Sequence, residues 1–141
     1  MGSMKMKLRR ESALRDRVKT YRRLIGELVD GDAAVIVEGK RDREALQALG
    51  VPRERIFTMN GSPAAVAEKV SKAADRAFVL TDFDAAGEDI LSRIVPALEG
   101  CSVKPDAGMR KRLGGILGLR FFEEIARKAR ELEEKFEESE R

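Results

Sequence analysis

Ala33-Ala34-Val35-Ile36-Val37-Glu38-Gly39-Lys40 decides the fold of this chain. Five small or branched apolar residues run without interruption and end on a carboxylate, a glycine and a base. An apolar run this short, with no alternation, reads as a strand buried on both faces, the kind found in parallel sheets. A second run, Ala77-Phe78-Val79-Leu80, ends on Thr81-Asp82-Phe83-Asp84-Ala85-Ala86-Gly87-Glu88. A helical pattern follows each. Acidic residues therefore stand where two buried strands end, at the carboxyl edge where open parallel sheets bind ligands.

Between the two runs, a helix is expected from about Asp42, read as its cap, to Leu49, with Gly50 and Pro52 stopping it. Arg55–Thr58 is a weak second strand. Asn60-Gly61-Ser62-Pro63 is a turn into a helix, Ser62 at the N-cap and Pro63 at the first helical position, running to about Ala74. A helix from about Gly87 carries Ile90, Leu91, Ile94 and Val95 until Pro96 breaks or kinks it, and Cys101–Lys104 is a fourth, edge strand. Alternating strands and helices imply βαβ units.

Outside this middle the pattern is helical. Leu14, Val18, Tyr21, Ile25 and Leu28 predict an amphipathic helix over 11–29, in which Tyr21 reads as core. From Asp106 a basic helical segment runs to Leu117, Gly118 breaks it, and Phe122, Ile125, Ala129, Leu132 and Phe136 mark a last helix. The expected fold is α/β: a Rossmann-like, mostly parallel four-stranded sheet flanked by helices. Residues 1–31 form a basic N-terminal helix, 32–104 the α/β domain and 105–141 a helical extension. Met1-Gly2-Ser3 reads as an expression scar.

The 141 residues carry 28 basic and 25 acidic side chains, a net charge of +3, so bulk charge announces no partner. Its distribution is more informative. Met4 to Arg23 holds nine basic residues against Glu11 and Asp16, while six glutamates follow Arg130. A basic helix suits a phosphate backbone, and equally a solvated face. One cysteine excludes a disulfide framework or zinc cluster. No stretch approaches a membrane span or a signal-peptide core, so a cytoplasmic protein without a membrane partner is expected.

The chain has no histidine, so a carboxylate or lysine must move any proton. Asp82 and Asp84 can share one hard cation, and Glu38 from the neighbouring strand end can add a ligand or act as general acid or base. Lys40 and Arg41 can hold a phosphate. The set suggests Mg²⁺, or Mn²⁺, serving phosphate chemistry. Plainer readings stand beside this: Asp caps helices and closes turns, Glu88 suits a helix N-terminus, and Lys40 and Arg41 suit a solvated face. A calcium loop is excluded because Ala86 and Arg93 occupy ligand positions. A phosphatase of the haloacid-dehalogenase type would carry its Asp-x-Asp on the first strand, followed by Gly-Thr.

Val35-Ile36-Val37-Glu38-Gly39 followed by Asp82-x-Asp84-x-x-Gly87-Glu88 resembles the two motifs of the Toprim domain, over residues 32–104. Val37 to Asp42 and Met59 to Ser62 look most like the ribonuclease that matures 5S ribosomal RNA. The short length, the basic leading helix and the Val103–Leu113 segment look more like small archaeal stand-alone members. The resemblance implies Mg²⁺-dependent nucleic-acid phosphodiester processing, with RNA favoured over DNA. It implies Glu38 as acid or base and Asp82 and Asp84 on the metal; beside it, the residues themselves suggest Lys40 as a further catalytic group and Gly39, Lys40 and Arg41 on phosphate, with Gly87 and Glu88 as further site positions. A tyrosine-using topoisomerase or a primase would need domains that 141 residues do not hold. The alternative is a non-catalytic module binding nucleic acid or an RNA-processing complex, or pairing as a homodimer through its terminal helices.

Overall fold

The computed structural model describes residues 2–141; Met1, the first residue of the stretch read as a scar, lies outside the described residues. Besides two 3-10 turns at Arg53–Arg55 and Phe122–Glu124, six α-helices and four strands follow in order among the described residues: α1 (Ser3–Asp30), β1 (Ala34–Val37), α2 (Lys40–Ala48), β2 (Ile56–Thr58), α3 (Pro63–Ser71), β3 (Arg76–Val79), α4 (Ala85–Gly100), β4 (Lys104–Asp106), α5 (Gly108–Leu117) and α6 (Ile125–Ser139). The strands form one sheet in the order β2-β1-β3-β4, and every pairing is parallel.

Strand polarity and side-chain alternation fix three layers. On one face Val35, Val37, Phe78 and Leu80 pack with residues of α1, α2, α5 and α6. On the other, Ala34, Ile36, Ala77 and Val79 meet Val66, Ala67 and Val70 of α3 and Ile94 and Leu98 of α4. Because both faces are covered, β1 has no polar position: all four of its residues are buried. The chain leaves β1 for β2 on one side and returns to β3 on the other. The topological switch point therefore lies between β1 and β3, the place where ligands bind in doubly wound sheets.

Several elements differ from expectation for local reasons. The first helix begins at Ser3, eight residues earlier than its apolar stripe implies, and that early part leaves Met4, Met6 and Leu8 exposed. The second helix starts at Lys40 with Gly39 at the N-cap; Asp42 is not the cap but sits one turn in, buried, accepting the Gly39 N–H at 2.9 Å. Pro96 does not break α4, which continues to Gly100. Pro96 lies on the exposed face, where the carbonyl that its missing N–H frees is solvated. The fourth strand falls at Lys104–Asp106. Ser62 and Pro63 occupy the expected cap and first-turn positions, with Ala65 N–H donating to Ser62 Oγ at 3.1 Å.

Nothing in the periodicity pointed to Arg55. Its guanidinium donates to three carbonyls, Leu28 at 2.8 Å, Val29 at 2.9 Å and Ala33 at 2.8 Å, closing the C-terminus of α1 against the start of β1. Cationic donors satisfy carbonyls that a helix end leaves unpaired. Arg55→Ala is expected to cost about 2 kcal/mol, read as a lower urea midpoint at unchanged slope; an unaltered midpoint would show that water replaces the cap.

The basic and acidic ends of the chain meet. Arg22 pairs with Glu133 at 2.6 Å, Arg15 with Glu140 at 3.7 Å, and Arg17 donates twice to the Ile116 carbonyl. Two ion pairs between the oppositely charged ends thus hold α1 to α6, and Arg17 ties α1 to α5. No described helix is long and apolar enough to cross a membrane.

Candidate functional site

Glu38 follows β1 directly, and Asp82 follows β3 by three residues, so both stand at the carboxyl edge beside the switch point. Glu38 Oε2 accepts the Asp82 backbone N–H at 2.6 Å, binding the two strand ends together. The two carboxyl groups come within hydrogen-bonding range of each other. Burial, then the charges of Asp82 and Asp84, raise Glu38 above the ordinary carboxylate range, against the pull of the Asp82 N–H. Asp82 is raised too, chiefly by burial, with Asp84 and Glu123 adding to it. Asp42 lies close enough to feel Asp82 and Glu123, and burial pushes it up to about 6. The carboxyl edge thus concentrates negative charge beyond what its own backbone donors neutralise.

The loop after β3 is held from several sides. Asp84 caps α4, its Oδ1 accepting the Gly87 N–H at 2.8 Å. The buried Thr81 hydroxyl donates to the Gly87 carbonyl at 2.9 Å. Gly87 passes so close to the strand end that a Cβ there would lie 2.0 Å from the Asp82 carbonyl oxygen. Asp82 Oδ1 accepts the Phe122 backbone N–H at 2.8 Å, and the Phe83 N–H donates to the Arg120 carbonyl at 2.9 Å. The segment between α5 and α6 therefore forms one wall of the site. Glu124 shapes that segment by accepting the Phe121 N–H at 3.0 Å, which holds its carboxyl below the usual range.

Sequence reading missed Arg110. This buried α5 side chain donates to the carbonyls of Thr81 and Asp82 and to Glu88 Oε1, each at 2.7 Å. Its guanidinium also lies 4.3 Å from the centre of the Phe83 ring. Phe83 in turn stacks on Phe122 with ring centres 5.8 Å apart. The only available signal was an arginine on an otherwise apolar helical stripe with Met109, Leu113 and Leu117.

The other expected residues divide. Glu38 and Asp82 meet through the Asp82 N–H, Asp84 caps α4 and acts on both only as a nearby charge, and Glu88 turns to Arg110. Lys40 does not reach the carboxylates through any hydrogen bond or ion pair; its side chain is 78% exposed and lies 3.9 Å from Glu44. Arg41 lines an open groove of about 630 Å³ between α2 and α6, with Arg127, Arg130, Glu123 and Phe121. The Gly39 N–H is already spent on Asp42.

The described residues hold no group of three or more acidic or thiol side chains placed to grip a metal. Two carboxylates with raised proton affinity, each with one oxygen not engaged by a backbone N–H, are nonetheless hard-donor chemistry. Mg²⁺ is commonly held by one or two carboxylates, its remaining positions filled by water and substrate phosphate. The donor set fits an ion of that kind and not a fully enclosed one.

No family model matches the chain. A UPF0292 protein of Thermococcus onnurineus is 35% identical over 98 residues, which span 70% of this chain and 73% of that protein. The chain belongs to the UPF0292 family. A Pyrococcus abyssi UPF0292 protein is 34% identical over 95 residues, covering 67% and 71% of the two chains. Among solved structures, a putative protein from Aquifex aeolicus superposes with a TM-score of 0.64 at 25% identity, over 72% of this chain and 94% of its own. These findings overturn the Toprim resemblance: the relatives carry the UPF0292 name, and no model of the other family matches. The physical reason is visible in the loop. Asp84 is a helix cap, Gly87 is dictated by the Asp82 carbonyl and Glu88 is the partner of Arg110, so each of these positions of the spaced pattern has a local folding role in this chain.

Proposed function

We propose that this UPF0292 protein is a Mg²⁺-dependent phosphodiester-processing enzyme acting on nucleic acid, with Glu38 and Asp82 at its centre. The observation that carries this reading is the Glu38–Asp82 pair, two carboxyl side chains brought together where adjacent parallel strands end, with Glu38 Oε2 accepting the Asp82 N–H at 2.6 Å. Asp82 and Asp84 would hold the ion, which supplies charge stabilisation to the phosphate being attacked. Glu38, whose proton affinity burial raises, would serve as general acid, giving a proton to the leaving oxygen as the phosphorus–oxygen bond breaks. Water supplies the new bond to phosphorus and its proton passes to solvent. Arg41, at the mouth of its groove, and Lys5, Lys7, Arg9 and Arg10 on the free end of α1 supply positive charge for the backbone. A single cysteine and a chemistry based on Mg²⁺ fit a cytoplasmic setting.

The test is cleavage of a panel of structured RNAs and DNAs with Mg²⁺ or Mn²⁺, by wild type, Glu38→Gln and Asp82→Asn. Metal-dependent cleavage that falls about 100-fold or more in Glu38→Gln is expected. Because metal ligands must shed their protons, Mg²⁺ affinity is expected to rise with pH as the pair deprotonates. The lack of a ready three-ligand cluster favours a second reading, a non-catalytic nucleic-acid-binding module. Salt-dependent binding with no cleavage by wild type under either metal would establish that reading and overturn the first.

A further inference from the structure

A second concavity lies one strand away from the carboxylates. It is a cleft of about 300 Å³ lined by Arg43 of α2, Ile56, Phe57 and Thr58 of β2, Asn60, and Ala65, Val66 and Lys69 of α3. Because α2 and α3 cover opposite faces of the sheet, this cleft wraps the free edge of β2, the outermost strand. Its size falls at the small end of the range occupied by ligand sites, about 300–1,000 Å³.

Charge sets it apart. In a chain with 25 acidic side chains, no acid lines this cleft, whereas the groove beside α6 sets Glu44, Glu123 and Glu124 against its three arginines. Arg43 and Lys69 form no ion pair among the described residues. Two uncompensated cations facing one small space repel each other unless an anion lies between them. Thr58 and Asn60 add neutral hydrogen-bonding groups, and Phe57 with Ile56 and Val66 gives an apolar wall. A guanidinium and an ammonium beside neutral donors suit a phosphate, and the apolar wall suits the sugar or base attached to it.

Position relates the cleft to the carboxylates. Thr58 pairs with Val37, the residue before Glu38, and the Met59 N–H donates to the Val37 carbonyl at 3.0 Å. Neighbouring strands lie about 4.8 Å apart, so a chain of nucleotides crossing the carboxyl edge passes from one site to the other.

We infer that the cleft between α2 and α3 is a phosphate-binding subsite for one nucleotide unit, with Arg43 and Lys69 on the phosphate and Phe57 beside the base or sugar. As a subsite for a nucleic-acid substrate it rests on the proposed function; its chemistry can be measured without it. The experiment is isothermal titration of 5′-AMP, inorganic phosphate and adenosine in EDTA. It is run on wild type, the double variant Arg43→Gln/Lys69→Gln and Asp82→Asn, with thermal melts confirming folding. Wild type and Asp82→Asn are expected to bind AMP alike, adenosine at least tenfold more weakly, and the double variant to lose AMP affinity at least tenfold. Equal AMP affinity in wild type and the double variant overturns the inference, as does adenosine binding as tightly as AMP, or no AMP binding by wild type. Cleavage lost in Asp82→Asn beside unchanged AMP binding in the double variant leaves the proposed function standing and this inference fallen. AMP binding by wild type that is lost in the double variant, with no cleavage by wild type under either metal, does the reverse.

Discussion

Gly87→Ala is expected to lower stability by about 4 kcal/mol or more and to dismantle the candidate site with it. The added Cβ would lie 2.0 Å from the Asp82 oxygen, 2.6 Å from its carbonyl carbon and 2.9 Å from its nitrogen. All three are backbone atoms, so no rotamer relieves the clash. Lifting α4 would break both the Asp84 cap and the Thr81 hydroxyl bond. Moving Asp82 instead would break its carbonyl bond to Arg110 and its N–H bond to Glu38. The Tm is expected to fall by on the order of 10 °C, and exchange of the Asp82 amide to accelerate. Gly115→Ala is the control, because a Cβ there meets nothing within 4 Å in the interior of α5. It is expected to be neutral or stabilising by up to about 1 kcal/mol. Equal melting of Gly87→Ala and wild type would disprove the close approach.

Arg110→Met is expected to cost about 3 kcal/mol. It removes the donor from the buried carbonyl of Thr81 and from that of Asp82, and leaves Glu88 unpaired. Methionine keeps much of the packing on Phe83, so the loss reports the lost donors more than a cavity. Arg110→Lys should recover little, since a single ammonium cannot reproduce the fork that reaches two carbonyls and a carboxylate at once. Full recovery by lysine in urea melts would mean that only the charge matters.

These two residues also show where sequence reading stops. The strands were legible because runs such as Val35-Ile36-Val37 report burial on both faces, and burial has a period. Ser62 and Pro63 were legible because capping is settled within four residues. Arg110 and Arg55 were not, since their partners lie 22 to 29 positions away and periodicity carries no record of a partner. Nor was the contact from Phe122 to Asp82, which spans 40 positions. That Glu38 and Asp82 stand at neighbouring strand ends was readable from strand order, whereas the described residues do not assemble a three-carboxylate cluster with them. The helix cap at Asp84 and the exposed position of Lys40 beside Glu44 match the plainer readings of those residues, because both are set within four residues.

The bond from the Phe122 N–H to Asp82 has a consequence for how the protein comes into being. Synthesis is vectorial and domains form as the chain emerges, so all four strands leave the ribosome before the residues that hold Asp82 in place. A nascent chain that has made its sheet still lacks the donors of Arg110 and Phe122. The loop after β3 therefore gains its full set of hydrogen bonds only when the last quarter of the polypeptide has arrived and docked.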